Sequence, residues 1–175
     1  EAAKKAQPAW SATPAEEKFK IMNRIAELID AKREELAKAE SMDQGKPFWL
    51  AKNEMNRAAQ NFRFFATATM QFASESHAME DKAINYTLRQ PIGVVGCISP
   101  WNFPLAITIG QIAAALAAGN TVISKPSEHT PIIAFEAINL FFEQGLQKDV
   151  LHLFLGNGDM GQAIISSQAI DLVAF

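Results

Sequence analysis

Only one cysteine, Cys97, occurs among the 175 residues, so no disulfide can form within the chain, and the usage fits a reducing, cytoplasmic compartment. The three histidines, His77, His129 and His152, are scattered without the spacing of metal ligands, and no metal is assigned. Basic blocks are missing too. The 16 Lys and Arg against 19 Asp and Glu leave a net charge of −3, whereas nucleic-acid binding needs clustered cations that release counterions from phosphate. No internal repeat or low-complexity tract is present. An uncharged stretch runs from Gln90 to Ser124, but it is not read as a membrane span. Pro91, Pro100, Asn102 and Pro104 interrupt it, and Leu105 to Ala118 falls short of the ~20 continuous apolar residues that cross a bilayer. Residues 1–20 are polar and charged, unlike the apolar core of a signal peptide. The start at Glu1 without methionine and the stop at Phe175 within an apolar run read as a segment of a longer protein.

What is present suits a soluble globular core. The chain is 49% hydrophobic, and a domain of about 150 residues buries roughly 70% of the surface its unfolded chain exposes. Charge is uneven: 27 of the 35 Asp, Glu, Lys and Arg precede Pro91. The charged part reads as helices. Thr13-Pro14-Ala15-Glu16 carries the residues of a capping box, and the helix it opens places Phe19, Met22, Ile25, Ala26 and Ile29 on one stripe. A second helix spans roughly Lys32 to Met42 and stops at Gly45 and Pro47. The third runs from about Phe48 to Ser74, with Met55, Ala58, Ala59, Phe62, Phe65, Ala66, Thr69 and Phe72 on its core face. Ala83 to Gln90 alternates as a strand exposed on one side.

After Pro91 short β-type runs alternate with helical ones. The order is Gly93–Ser99, Leu105–Ala118, Thr121–Ser124, Ile132–Gln144, Val150–Leu155, Met160–Ser167 and Leu172–Phe175. That β-α-β-α order demands right-handed crossovers and a mostly parallel sheet, as in nucleotide-binding folds. Strands covered on both faces need no polar alternation, which accounts for the uncharged stretch.

Three segments could carry chemistry. Gly156-Asn157-Gly158-Asp159-Met160-Gly161 matches G-x-G-x-x-G between a strand and a helix, where backbone N–H groups could seat a pyrophosphate. It lies in the third β-α step rather than the first, so a plain Gly-rich turn is the competing reading. Ser99-Pro100-Trp101-Asn102-Phe103-Pro104 sits where the first strand ends, the edge at which open α/β sheets bind ligands. It is either a stiff turn around a buried indole or a preorganised Asn102 amide aimed at developing negative charge. Lys125-Pro126-Ser127-Glu128 ends the second strand. Its two charges are a solvated pair, or a site where Glu128 accepts the hydroxyls of a ribose while Lys125 donates to them.

Taken together, Pro91 to Gly96, Ser99 to Pro104, Ala117 to Val122 and Lys125 to Glu128 followed by Thr130-Pro131 resemble the aldehyde dehydrogenase superfamily. Glu40 to Pro47 and Asp171 to Phe175 extend the likeness along the chain, and Gln60 to Ala66 is similar to members acting on muconic semialdehydes. The resemblance implies an α/β fold: an N-terminal helical layer over residues 1–78, an edge strand for oligomerisation over 79–90, and over 91–175 the first half of a doubly wound, Rossmann-like parallel sheet, incomplete in this chain. It implies NAD(P)-dependent oxidation of an aldehyde to a carboxylic acid. In the family a cysteine thiolate attacks the aldehyde, hydride passes to nicotinamide, and a glutamate-activated water hydrolyses the thioester.

By the same resemblance Asn102 is the oxyanion donor, and Ile98, Ser99, Pro100, Trp101, Lys125, Ser127, Glu128, Gly156 and Phe175 belong to the cofactor site, with Gly158 and Gly161 unassigned. A Glu128 carboxylate would repel a 2′-phosphate, which favours NAD over NADP. The family's nucleophile and general base match nothing in this chain. Cys97, inside an uncharged strand with no cationic neighbour, reads as an inert core thiol. The chain alone is therefore expected to be inactive, and the whole enzyme to be a homodimer or homotetramer. Two other classes stay open: a non-catalytic nucleotide-binding or assembly module, and a different Rossmann-type dehydrogenase using Gly156 to Gly161 as its phosphate loop.

Overall fold

Proline and glycine set most of the helix boundaries in the first half of the chain. In the computed structural model, which describes residues 1–80 and 82–175, four helices come first: α1 (Ala2–Ala12), α2 (Ala15–Ala31), α3 (Arg33–Gln44) and α4 (Phe48–Thr69). Gly45 adopts φ 83° just past α3, the left-handed conformation that an L side chain resists, and its N–H donates to the Ser41 carbonyl. Pro47 then stands as the N-cap residue of α4.

Helix α1 was not expected. Pro8 lies inside it and removes one intrahelical donor, which argues against a helix locally. A long-range anchor outweighs that: Trp10 is fully buried and its Nε1 donates to the Leu116 carbonyl at 3.2 Å. The presence of α1 also overturns the capping box. Thr13 is the residue that closes α1, and its hydroxyl donates to the Ala9 carbonyl at 3.1 Å. Pro14 takes the N-cap of α2 with no side-chain cap, and Glu16 pairs with Lys20 at 2.7 Å. The third helix is shorter than expected. It ends at Thr69, so Phe72 lies beyond it and is exposed, while Met55, Ala58, Ala59, Phe62, Ala66 and Thr69 are buried.

Next come two short strands, β1 (Ser76–Met79) and β2 (Ala83–Tyr86), paired antiparallel with Ser76 opposite Tyr86. Every residue of both strands is exposed, so the expectation of a strand with one covered side is corrected. The pair forms its own two-stranded sheet rather than an edge of the parallel one.

The second half builds that parallel sheet from β3 (Val94–Ile98), β4 (Thr121–Lys125), β5 (Leu151–Leu153) and β6 (Leu172–Ala174). Helices α5 (Pro104–Ala117), α6 (Pro131–Glu143) and α7 (Gly158–Ser166) connect them, and a 3-10 turn at Lys148–Val150 leads into β5. The spatial order is β5-β4-β3-β6, with Val95 opposite Val122 on one side and Leu172 on the other. The chain thus winds outward from β3 to β5 and then returns to the opposite side of β3. This reversal makes the boundary between β3 and β6 the switch point of a doubly wound sheet. Side chains alternate across it. Val95 and Cys97 enter the core shared with α4 and α5, whereas an added Cβ at Gly96 would lie 2.7 Å from Ile164 on α7. Phe62 of α4 meets Phe141 of α6 edge-on at 5.1 Å and ties the helical layer to the sheet's own helices.

Candidate functional site

Because the four strands are parallel, their carboxyl ends lie along one edge, and so do the loops that follow them. Backbone hydrogen bonds carry the ladder slightly past the strands: Ser99 N–H donates to the Lys125 carbonyl at 3.1 Å and Phe154 N–H to the Ser124 carbonyl at 2.9 Å. Ile98 and Ser99 are buried, and the Ser99 and Thr108 hydroxyls share a 2.6 Å hydrogen bond. Beyond them the chain emerges. Trp101 is 54% exposed, which rules out the buried indole, and Pro100 and Asn102 are exposed as well. Among the described residues the Asn102 side-chain amide has no intramolecular partner, while its backbone carbonyl accepts from Lys46 Nζ at 3.4 Å.

One strand over, the Lys125 side chain is buried and its Nζ donates to Glu128 Oε2 at 3.1 Å. Glu128 keeps 44% of its side chain in solvent. A backbone N–H bond, reinforced by Lys125, holds its carboxyl below the usual range, so it stands ionised and able to accept further hydrogen bonds. Ser127 turns inward, its Oγ accepting the His129 N–H at 3.2 Å.

The G-x-G-x-x-G segment lies farther off. It follows β5, two strands from the switch point, or about 10 Å at the usual strand spacing. Asn157 caps α7 by accepting the Asp159 N–H at 3.1 Å, and Gly158 and Gly161 sit inside the helix. A Cβ at Gly158 or Gly161 would meet nothing within 4 Å, whereas one at Gly156 would come within 2.9 Å of Met160 Cβ. Only the first glycine is therefore required by packing. Phe175 follows β6 across the switch point from Ile98 and is 95% exposed.

Two features of this edge were missed from the sequence. Gln111 of α5 donates through Nε2 to the Ile98 carbonyl at 3.2 Å and the Ala174 carbonyl at 3.5 Å, bridging β3 and β6 at the switch point. Against the Asn102 turn sits a buried ion cluster: Lys46 Nζ lies 2.8 Å from Glu40 Oε1 and 2.5 Å from Glu54 Oε2. Burial, then the neighbouring Glu54, pushes the Glu40 carboxyl up to about 7 against the pull of Lys46. A signal for the cluster exists. Glu40 follows Leu36 and Ala37 at helical spacing, and Glu54 follows Ala51 and precedes Ala58, so both carboxylates lie on apolar stripes.

Cys97 is buried in β3, and burial pushes its thiol up to about 12, which leaves no thiolate at neutral pH. Among the described residues no three His, Cys, Asp or Glu side chains gather as a metal site would need.

Comparison with known proteins bears on this edge. The model of the Aldehyde dehydrogenase family matches residues 1–175. Human 2-aminomuconic semialdehyde dehydrogenase is 41% identical over 177 residues, covering 99% of this chain and 36% of that protein. The Escherichia coli 5-carboxymethyl-2-hydroxymuconate semialdehyde dehydrogenase is 37% identical, with 99% and 37% covered. An NAD+ complex of aldehyde dehydrogenase from Bacillus cereus superposes with a TM-score of 0.96 at 36% identity, covering 99% of this chain and 36% of that one. The chain thus spans little more than a third of the length of these relatives.

Proposed function

The chain belongs to the aldehyde dehydrogenase family, and from that membership we propose that it supplies the oxyanion donor and the adenosine-side cofactor contacts of an enzyme oxidising an aldehyde to a carboxylic acid. The observation that carries the reading is the pairing of an unengaged, exposed Asn102 amide at the end of β3 with the Lys125–Glu128 pair at the end of β4. A tetrahedral adduct forming at an aldehyde carbon places negative charge on oxygen. An amide N–H held on a turn bounded by Pro100 and Pro104 stabilises that charge with little reorganisation.

The donor set of the edge fits a dinucleotide. Glu128, ionised and half exposed, accepts from ribose hydroxyls, and Lys125, fixed by burial, donates beside it. Ile98 to Trp101, Ser127, Gly156 and Phe175 line the remainder of the cofactor's path in this proposal. NAD, when bound, accepts the hydride. A carboxylate at Glu128 repels a 2′-phosphate, which supports NAD over NADP. Muconic-type semialdehydes are the proposed substrate class, on the strength of the names borne by the human and bacterial relatives.

The exposed β1–β2 hairpin, with Met79, Ile84 and Tyr86 in solvent, is the proposed contact of a homodimer or homotetramer. No helix among the described residues is long and apolar enough to cross a membrane, and a cytoplasmic location is proposed alongside. The test is NADH formation by the complete protein with a semialdehyde. Asn102→Ala is expected to lower kcat by about 10²–10³-fold, ~3–4 kcal/mol of barrier, with NAD binding retained. An unchanged kcat overturns the assignment.

A further inference from the structure

Resting on the reading of Asn102 above, we infer that Glu40, Lys46 and Glu54 are positioning residues that set the orientation of the Asn102 amide by gripping the chain at Asn102 itself and over the three residues that follow it. The turn from β3 to α5 has few anchors of its own. Pro100 and Pro104 lack N–H groups, and Phe103, the N-cap residue of α5, makes no side-chain cap. The cluster fills that deficit. Lys46 Nζ donates to the Asn102 carbonyl at 3.4 Å and lies 5.3 Å from the centre of the Phe103 ring. Glu40 Oε2 accepts the Leu105 N–H at 3.3 Å, so a carboxylate from α3 caps the first turn of α5. Three of the four residues from Asn102 to Leu105 are therefore held by one ionic group.

Lys46 is itself immobilised by Glu40, by Glu54 and by the bond from Ser41 Oγ to its carbonyl at 2.7 Å. Stability alone is a poor reason for such a cluster, because buried ion pairs replaced by apolar side chains of similar volume are often neutral or stabilising. One carboxylate oxygen, Glu54 Oε1, is even buried without a hydrogen-bond partner among the described residues. Orientation of the turn accounts for the arrangement. The charged groups facing one another are Glu40 from α3, Lys46 from the α3–α4 turn and Glu54 from α4, while α5 contributes N–H groups only and no titratable side chain.

Steady-state kinetics and NAD binding of the complete protein test this. Glu40→Ala is expected to lower kcat about tenfold with the NAD Kd changed less than about twofold. Glu40→Gln, whose amide oxygen still accepts the Leu105 N–H, should return kcat to within about threefold of the parent. In an Asn102→Ala background Glu40→Ala should cost nothing further, because the donor it orients is gone. Equal fold-losses in both backgrounds, or weakened NAD binding with kcat intact, overturn the inference. If Glu40→Ala folds poorly, Lys46→Arg keeps the charge while moving the donor. A roughly tenfold kcat loss that vanishes in the Asn102→Ala background supports the inference, and a parental kcat overturns it. The two readings fail separately. Parental kcat in Asn102→Ala sinks the proposed function, whereas loss at Asn102 with none at Glu40 or Lys46 sinks only the positioning role.

Discussion

Asn102, Glu128 and Gly158 lie on the same sheet edge but face different demands, and substitution separates them. Glu128→Ala removes an ionised acceptor and is expected to weaken NAD binding about tenfold, as titration of the complete protein would show. Gly158→Ala adds a methyl group into open space at a helical position and should leave the NAD Kd unchanged within about twofold. The reverse ranking would favour a dehydrogenase that uses Gly156 to Gly161 as its phosphate loop. Glu40 predicts a pH effect whose sign follows from its raised pKa. The folded carboxyl holds a proton up to about 7, whereas the unfolded one releases it near 4.5. Between those values the unfolded state binds fewer protons, so stability falls as pH rises. Thermal unfolding of the parent should therefore lose ground to Glu40→Gln from about pH 4.5 to pH 7, and parallel profiles would contradict the shift.

At the scale of elements, α4 is the keel of the helical layer, packing on α2, α3 and α5. The α3–α4 turn matters because it delivers Lys46. Gly45→Ala forces a β-carbon onto φ 83° with no steric clash elsewhere, so its cost of about 1 kcal/mol is purely conformational and readable in chemical denaturation. The loss in kcat should exceed that expected from stability if the turn also aims Lys46. The helix ends show what local reasoning can reach. Gly45 and Pro47 mark the break between α3 and α4 in the sequence itself, whereas Thr13 and Glu16 have the residues of a capping box and do not form one. Which helix owns Thr13 depends on α1, and α1 depends on Trp10 reaching Leu116 more than a hundred residues away.

For the whole molecule, the decisive observation concerns chemistry that the chain does not contain. Its single cysteine is a core thiol pushed up to about 12, and no other thiol is available to attack an aldehyde. Residues 1–175 expressed alone should show no aldehyde-dependent NADH formation, and measurable turnover would refute the reading that these residues lack the nucleophile. Among the described residues β6 is bonded on one side only, by β3, and Leu172, Val173 and Phe175 are exposed. An open, apolar parallel edge invites pairing. The same preparation should accordingly self-associate as concentration rises, which light scattering would register.

Residue order alone determined the alternation of strands and helices after Pro91, the helices of the first half except α1, and the placement of Asn102 and Glu128 at strand ends. Those features depend on local periodicity, on proline and glycine, and on motifs contiguous in the chain. Tertiary structure decided the rest. The order β5-β4-β3-β6 places the switch point between β3 and β6, and only then does Gln111 span two carbonyls or Phe175 face Ile98. Likewise Glu40, Lys46 and Glu54 are ordinary charges on amphipathic helices until packing buries them against the Asn102 turn. Burial and register are set by contacts between distant segments, and they turn a solvated charge into a buried, shifted and directional one.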